Sequence, residues 1–383
     1  MSRTVPVTDS IPFMDLKAQY ARLKPEIDAA IARVLAHGQF ILGPEVKELE
    51  SKLAERAGAA HCIGVANGTD ALTIALMAEG VGSGDAVFVP SFTFTATAEA
   101  VLILGAAPVF CDVDPKTCNL DPVDLARRIE AVRAAGRLRP RAIIAVDLFG
   151  FPADYAALEA LAGKHALFVL ADAAQSFGAR SGNKRAGALA PVTTTSFFPA
   201  KPLGCYGDGG ALLTDDPARA ALYRSMRAHG TGGAKYDIVR LGFNSRLDTL
   251  QAAILLAKLP ALDGEIAARA RLADRYDRLL AGAVETPPRQ PDTASAWAQY
   301  TIQTKRRDHV AATLKAQGIP TAIYYPKPMH LQPAYESYGE GPGSLAISEA
   351  LACRVLSLPF HADMDEATAL RVAGAVRAAV ADG

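Results

Sequence analysis

The chain lacks an excess of charge of either sign, since 40 Lys+Arg balance 40 Asp+Glu. No segment concentrates basic residues with interleaved aromatics, so a nucleic-acid surface is not expected. Long apolar runs are missing too. None reaches the roughly 18 residues needed to cross a bilayer, and Met1 to Ser10 hold no apolar core of signal-peptide length, which points to a cytoplasmic protein without a membrane partner. Cysteine is sparse. The five residues at 62, 111, 118, 205 and 353 are an odd number without a Cys-x-x-Cys pair, so neither a disulfide framework nor a metal cluster is expected, and they read as small buried hydrophobes. Internal repeats and low-complexity linkers are also absent. What is present is apolar bulk: half of the 383 residues are hydrophobic, enough for a sizeable core and, at this length, for one large domain with a smaller one attached.

Helical spacing of apolar residues runs over 16–36 and 45–57, separated by the glycine- and proline-broken stretch 37–44. Short β-rich runs follow at 62–66, 86–90, 107–111, 142–147, 167–172 and 193–198, most of them separated by helical periodicity. The runs are continuously apolar, as in strands covered on both faces. This alternation predicts an α/β fold with a mostly parallel central sheet in a large domain, residues 11–250. A long helix is expected over 249–280. The rest, with a strand near 299–304 and helices near Ala311 and Ala367, reads as a smaller C-terminal α+β domain, 251–383.

Three places carry candidate chemistry. In Leu167-Phe-Val-Leu-Ala-Asp172-Ala-Ala-Gln175-Ser-Phe-Gly178 a buried strand ends in a carboxylate at a turn, where ligands sit in open α/β sheets. Taken by itself, a strand-end aspartate such as Asp172 is more often the N-cap of the next helix. In Ser196-Phe-Phe-Pro-Ala-Lys201-Pro-Leu-Gly204 a lysine stands between a β-rich run and a glycine-dense turn. Buried there, its amine would have a lowered pKa and could attack an aldehyde; on an exposed loop it would be an ordinary surface lysine. In Asn67-Gly68-Thr69-Asp70 a strand turns into a helix whose first N–H groups can hold a phosphate, with N-capping by Thr69 or Asp70 as the competing use. Together the three meet the needs of pyridoxal phosphate: an anion for the ring nitrogen, a lysine for the aldehyde, a phosphate cradle, and Phe94 as a flat stacking face.

On Phe13-Met-Asp-Leu-Lys, Gln39-Phe-Ile-Leu-Gly-Pro-Glu-Val, Asn67-Gly-Thr-Asp-Ala-Leu, Asp172-Ala-Ala-Gln-Ser-Phe-Gly, Ser196-Phe-Phe-Pro-Ala-Lys and Gly242-Phe-Asn-Ser-Arg-Leu-Asp, the chain resembles the DegT/DnrJ/EryC1/StrS family. These are the sugar aminotransferases among the fold type I pyridoxal-phosphate enzymes, and the likeness runs from about residue 11 to the C-terminus. It implies that Lys201 carries the cofactor as a Schiff base, Asp172 pairs with the ring nitrogen, Gln175 lies near the ring hydroxyl and Phe94 stacks. Gly68, Thr69, Asp70 and Ser196 fall where the family holds the phosphate, and Asn244 where a neighbouring subunit reaches it, which implies a homodimer with shared active sites.

Within the family the chain is most similar to the 3-aminotransferases of UDP-2-acetamido-2-deoxy-3-oxo-glucuronate. It carries Tyr324-Tyr325-Pro326 where those have His-Tyr-Pro, and Asp237-Ile238 after Tyr236 where a histidine is usual. The implied reaction moves an amino group from L-glutamate to a nucleotide-linked keto sugar, for surface polysaccharide such as O-antigen; other 3-keto or 4-keto dTDP or GDP deoxysugars are the alternative. Tyr324, Tyr325 and His330, in a proline-rich loop, are assigned to the sugar, with core packing and a satisfied histidine as the other reading. Arg246 could grip an anionic group through two hydrogen bonds or pair with Asp248. Lys201 argues against the family's dehydratases, which have histidine there. Asp172, Gln175, Ser196 and Lys201 together argue against a non-catalytic regulatory homologue.

Overall fold

The alternation of strands and helices builds a seven-stranded sheet in the computed structural model, which describes residues 11–234 and 236–382. The reading made for residues 1–10 lies outside the described residues. Helix α1 (Leu16–His37) starts where the Asp15 carboxylate accepts the Ala18 N–H at 2.8 Å and stops at Gly38, whose φ of 69° opens the left-handed region. Helix α2 (Pro44–Ala57) begins on a proline, whose missing N–H is one that a helix start leaves unpaired anyway. Local chemistry thus places both helices within a residue of the predicted spans.

The main alternation runs β1 (His61–Val65), α3 (Gly68–Ala78), β2 (Asp85–Pro90), α4 (Ala96–Ile103), β3 (Ala107–Cys111), α5 (Pro122–Ala135), β4 (Arg139–Val146), α6 (Tyr155–His165) and β5 (Phe168–Asp172). After the two-residue strands β6 (Arg180–Ser181) and β7 (Lys184–Arg185) come β8 (Val192–Ser196), β9 (Gly210–Thr214) and α7 (Pro217–Met226). The sheet order is β1-β9-β8-β5-β4-β2-β3, and only β9 runs antiparallel to its neighbours. Strand β9 is absent from the predicted set, because a short apolar run behind a glycine-dense turn has no period that separates it from loop. Alternate residues of each strand enter opposite cores: Val87, Val89, Ile144 and Leu170 pack beneath α3 and α4, and Phe88, Ile143 and Val169 beneath α5 and α6.

The expected helix over 249–280 is in fact two, α8 (Thr249–Lys258) and α9 (Leu262–Leu280), joined by a 3-10 turn, Leu259–Ala261. Pro260 explains the break, since it lacks an N–H and its ring crowds the preceding turn. Ala252 and Leu255 of α8 pack with Leu49 and Leu53 of α2, whereas Leu272, Tyr276 and Leu280 of α9 enter a separate C-terminal core. Strand β10 (Thr293–Ala294) pairs with β6; β11 (Tyr300–Gln303) and β12 (Val355–Leu358) form a two-stranded antiparallel sheet with α10 (Arg307–Ala316) and α12 (Glu366–Ala381) around it. Between α10 and helix α11 (Ala346–Arg354) the chain returns to the large sheet, where Met329, Tyr335 and Leu345 join the core of Val87 and Ile144. Among the described residues no helix is long and apolar enough to cross a membrane. Four cysteines are buried as expected, and Cys353 is exposed instead.

Candidate active site

Parallel strands place their carboxyl ends on one edge, and there the candidate residues gather. Asp172 is the last residue of β5, paired in register with Val146 of β4. Lys201 lies in the bend after β8; part of its stem is exposed, while its amine end is buried. Burial lowers the proton affinity of that amine, and the opposing charge is the carboxylate of Asp172. Burial likewise raises the Asp172 carboxyl above its usual range, against which work the Ala174 N–H, donating at 3.0 Å, and the charge of Lys201. Asp172 therefore both holds the turn after its strand and faces the lysine.

At the start of α3, the cap is neither Thr69 nor Asp70 but Asn67, whose side-chain oxygen accepts the Asp70 N–H at 2.8 Å. The N–H groups of Gly68 and Thr69 have no acceptor among the described residues. Close approach here requires glycine: a Cβ on Gly68 would lie 2.8 Å from Cβ of Ser196, and one on Gly210 would lie 2.5 Å from the Asn67 carbonyl carbon. The Ser196 Oγ accepts the Phe198 N–H at 3.2 Å and keeps its own proton to donate. Free N–H groups at a helix start beside a hydroxyl form an anion cradle.

Gln175 is buried, its Oε1 accepting the Phe149 N–H at 2.8 Å and its side chain bonded to the Tyr325 hydroxyl. Burial pushes that hydroxyl well above the usual phenol range. Tyr325 packs on Phe92 and Phe94, with ring centroids at 5.9 and 6.5 Å, and Tyr324 packs on Phe13 at 6.4 Å. Phe94 is 56% exposed. His330, expected on the sugar side, is buried: its Nδ1 lies 2.6 Å from Ser91 Oγ and its Nε2 3.2 Å from Glu349 Oε1. Both ring nitrogens are engaged by protein groups, the arrangement of the alternative reading of a satisfied histidine.

Between Asn244 and Arg246, the Ser245 Oγ accepts the Ala66 N–H at 3.2 Å, next to the Asn67 turn. Asn244 is exposed, and Arg246 donates to its Oδ1 instead of pairing with Asp248. They close a long loop after α7, held by backbone bridges Ala228 to Asn244 and Thr231 to Ile238, on which Tyr236, Ile238, Val239 and Leu241 turn apolar surface outward.

The profile of the DegT/DnrJ/EryC1/StrS aminotransferase family matches residues 21–377. The chain belongs to that family. It is 50% identical to the UDP-2-acetamido-2-deoxy-3-oxo-D-glucuronate aminotransferase of Pseudomonas aeruginosa, over 94% of this chain and 97% of the other. A family aminotransferase of Brucella abortus superposes with a TM-score of 0.94 at 51% identity, covering 96% and 98% of the two chains. NtdA of Bacillus subtilis, solved with bound cofactor PMP, superposes with a TM-score of 0.87 at 28% identity, covering all of this chain and 87% of that one. The protein is thus an aminotransferase with pyridoxal phosphate as its cofactor, and the observed arrangement fits that group: a buried amine opposite a buried carboxylate, beside a cradle too narrow for a Cβ at Gly68.

Two features of the aminotransferase site lie outside the residues expected from the sequence. Asp147, one residue beyond β4, is fully buried beside Asp172, and burial pushes its carboxyl up to about 7. A small cavity lined by Lys201 is also walled by Gln19, Arg269 and His361, brought together from α1, α9 and the turn after β12. Asp147 offered one signal, a carboxylate at the end of a strand like Asp172; the cavity offered none.

Proposed function

We propose that this aminotransferase aminates C3 of a UDP-linked 2-acetamido-3-oxo-uronate with L-glutamate as donor, in the making of a surface polysaccharide. The observation that carries the reading is the Lys201 amine, desolvated yet facing Asp172, at the carboxyl edge of a parallel sheet. The printed activity of the Pseudomonas aeruginosa relative supports the sugar class.

Bound there, pyridoxal phosphate supplies an aldehyde that takes up the amino group and a ring that accepts electrons. Lys201 is its covalent anchor; once displaced by the donor, the neutral amine moves a proton between the donor's α-carbon and the cofactor. Asp172 holds a proton at the ring nitrogen, Gln175 meets the ring hydroxyl and Phe94 covers the ring face. The Gly68 and Thr69 N–H groups, with Asp70 and Ser196, hold the phosphate. Tyr324 and Tyr325 border the sugar. Asn244 of a second copy completes the phosphate site and Arg246 meets an anionic group, so the working unit is a homodimer; the outward apolar surface of Tyr236, Ile238, Val239 and Leu241 supports this.

The test is incubation of the cofactor-loaded enzyme with glutamate and a panel of 3-keto and 4-keto nucleotide sugars, products being read by mass spectrometry. Turnover of the UDP-3-oxo-uronate above the others is expected. Preference for a dTDP or GDP 4-keto sugar would overturn the substrate while leaving the reaction class.

A further inference from the structure

None of the steps above engages Asp147. It has no exposed surface, and among the described residues no lysine, arginine or histidine bonds to it. Its Oδ1 accepts the Ala153 N–H and the Tyr155 hydroxyl, both at 2.8 Å, and its Oδ2 accepts the Ser176 hydroxyl at 2.6 Å. Its own N–H donates to the Asp172 carbonyl at 3.1 Å. A buried carboxylate without a cation is costly, and it persists where several donors converge on it.

Those donors connect two segments that meet only in the fold. One is the stretch 147–155 after β4. The other is the turn 172–176 after β5, which carries both Asp172 and Gln175. Two side-chain bridges join them: Asp147 to Ser176, and Gln175 to the Phe149 N–H at 2.8 Å. Because donors from both segments converge on this one carboxyl, their orientations are fixed together.

We propose that Asp147 is a positioning residue for the cofactor ring: through Ser176 and the backbone of Asp172 it fixes the turn from which Asp172 and Gln175 face that ring. The inference rests on the reading that those two residues hold the ring. Its physical content is geometric, since a loosened turn lets both ring contacts drift together, and contacts held by packing and supporting hydrogen bonds are what set cofactor affinity.

The experiment measures the dissociation constant for pyridoxal phosphate, and the pH midpoint of the bound cofactor's visible absorbance, in purified apo variants. Asp147→Ala is expected to weaken binding about tenfold and to displace the midpoint. Asp147→Asn, whose amide can donate to Ser176 Oγ while its oxygen keeps the other two donors, is expected to stay within about threefold of wild type. Ser176→Ala keeps the carboxylate and cuts only the bridge to the ring-facing turn, so it serves if Asp147→Ala does not fold. It is expected to weaken binding several-fold, while Tyr155→Phe, which cuts a bridge leading away from that turn, does not. A purely structural role would move Ser176→Ala and Tyr155→Phe alike in thermal stability and neither in affinity, which overturns the proposal. Equal losses in Asp147→Ala and Asp147→Asn also overturn it, by assigning the effect to charge. Asp172→Ala on the same titration separates the two layers: unchanged affinity there sinks the ring assignment itself, whereas weakened binding there with normal binding in Ser176→Ala sinks only the role of Asp147.

Discussion

The floor and the rim of the site differ in almost every physical respect. On the floor, Asp147, Asp172, Gln175 and Ser176 are buried, polar and bonded within one chain. On the rim, Phe94 is 56% exposed, Tyr236 86% and Leu241 79%, while Asn244 presents a polar side chain to the outside. A polar floor under apolar walls concentrates electrostatics where bonds change, because desolvation strengthens each charge. An apolar rim on the outside of a chain is instead a surface awaiting cover. The floor's hydrogen bonds close within the chain, and the rim's apolar side chains lie exposed.

The sharpest break of that comparison is at Lys201. Lys201→Ala is expected to abolish transamination, by roughly a thousandfold or more, with the fold intact, and borohydride reduction of the wild type should attach the cofactor to that residue alone. Retained turnover, or a labelled peptide without Lys201, would sink the assignment. Next in size is Asp172→Asn, which keeps the shape and loses the charge that holds the ring nitrogen protonated. Both half-reactions should slow by about a hundredfold in stopped-flow absorbance, with cofactor still bound, and unaltered rates would refute the role.

The division into floor and rim is then tested by mixing chains. Lys201→Ala combined with a chain altered at both Asn244 and Arg246 puts both lesions in one site of a heterodimer and leaves its other site whole. Random mixing makes about half heterodimer, so roughly a quarter of wild-type sites should return. No recovery, with heterodimers shown to form, would return Asn244 and Arg246 to their own chain's site.

The smallest expected effect sharpens the floor. The native Asp147 carboxyl, raised to about 7 by burial, keeps its proton where the unfolded chain, near the ordinary 3.8, has released it. Its contribution to stability is therefore full below about pH 4, lost as pH rises to about 7 and level beyond, a change on the order of 2 kcal/mol between pH 5 and 7.5. Denaturant unfolding of the apo enzyme should show that decline, and Asp147→Asn should lack that part of it. Identical slopes for the two proteins would rule it out.

The places of Asp172, Lys201 and the Gly68–Asp70 turn in the fold were legible because each is announced by a local pattern: a buried run ending in a carboxylate, a lysine before glycines, a strand turning into a helix. The cap at Asn67 lies two residues before the expected pair and follows the same local rule. His330 could not be read, since its partners Ser91 and Glu349 lie 239 and 19 residues away. Pro260 marks the break locally, although the helical period of apolar residues continues on either side of it.

The sequence by itself determined the caps, the helix spans, the run of parallel strands and the presence of a lysine and a carboxylate at their ends, because those depend on interactions within a few residues. Only the tertiary structure decided which groups lose water. Strand register set Asp172 beside Asp147, the contact of Gly68 with Ser196 narrowed the cradle, and the return of the chain to the large sheet closed both nitrogens of His330. Burial and non-local hydrogen bonds are properties of segments that meet after folding, so the proton affinities of Lys201, Asp172 and Asp147 came into being only with the packed molecule.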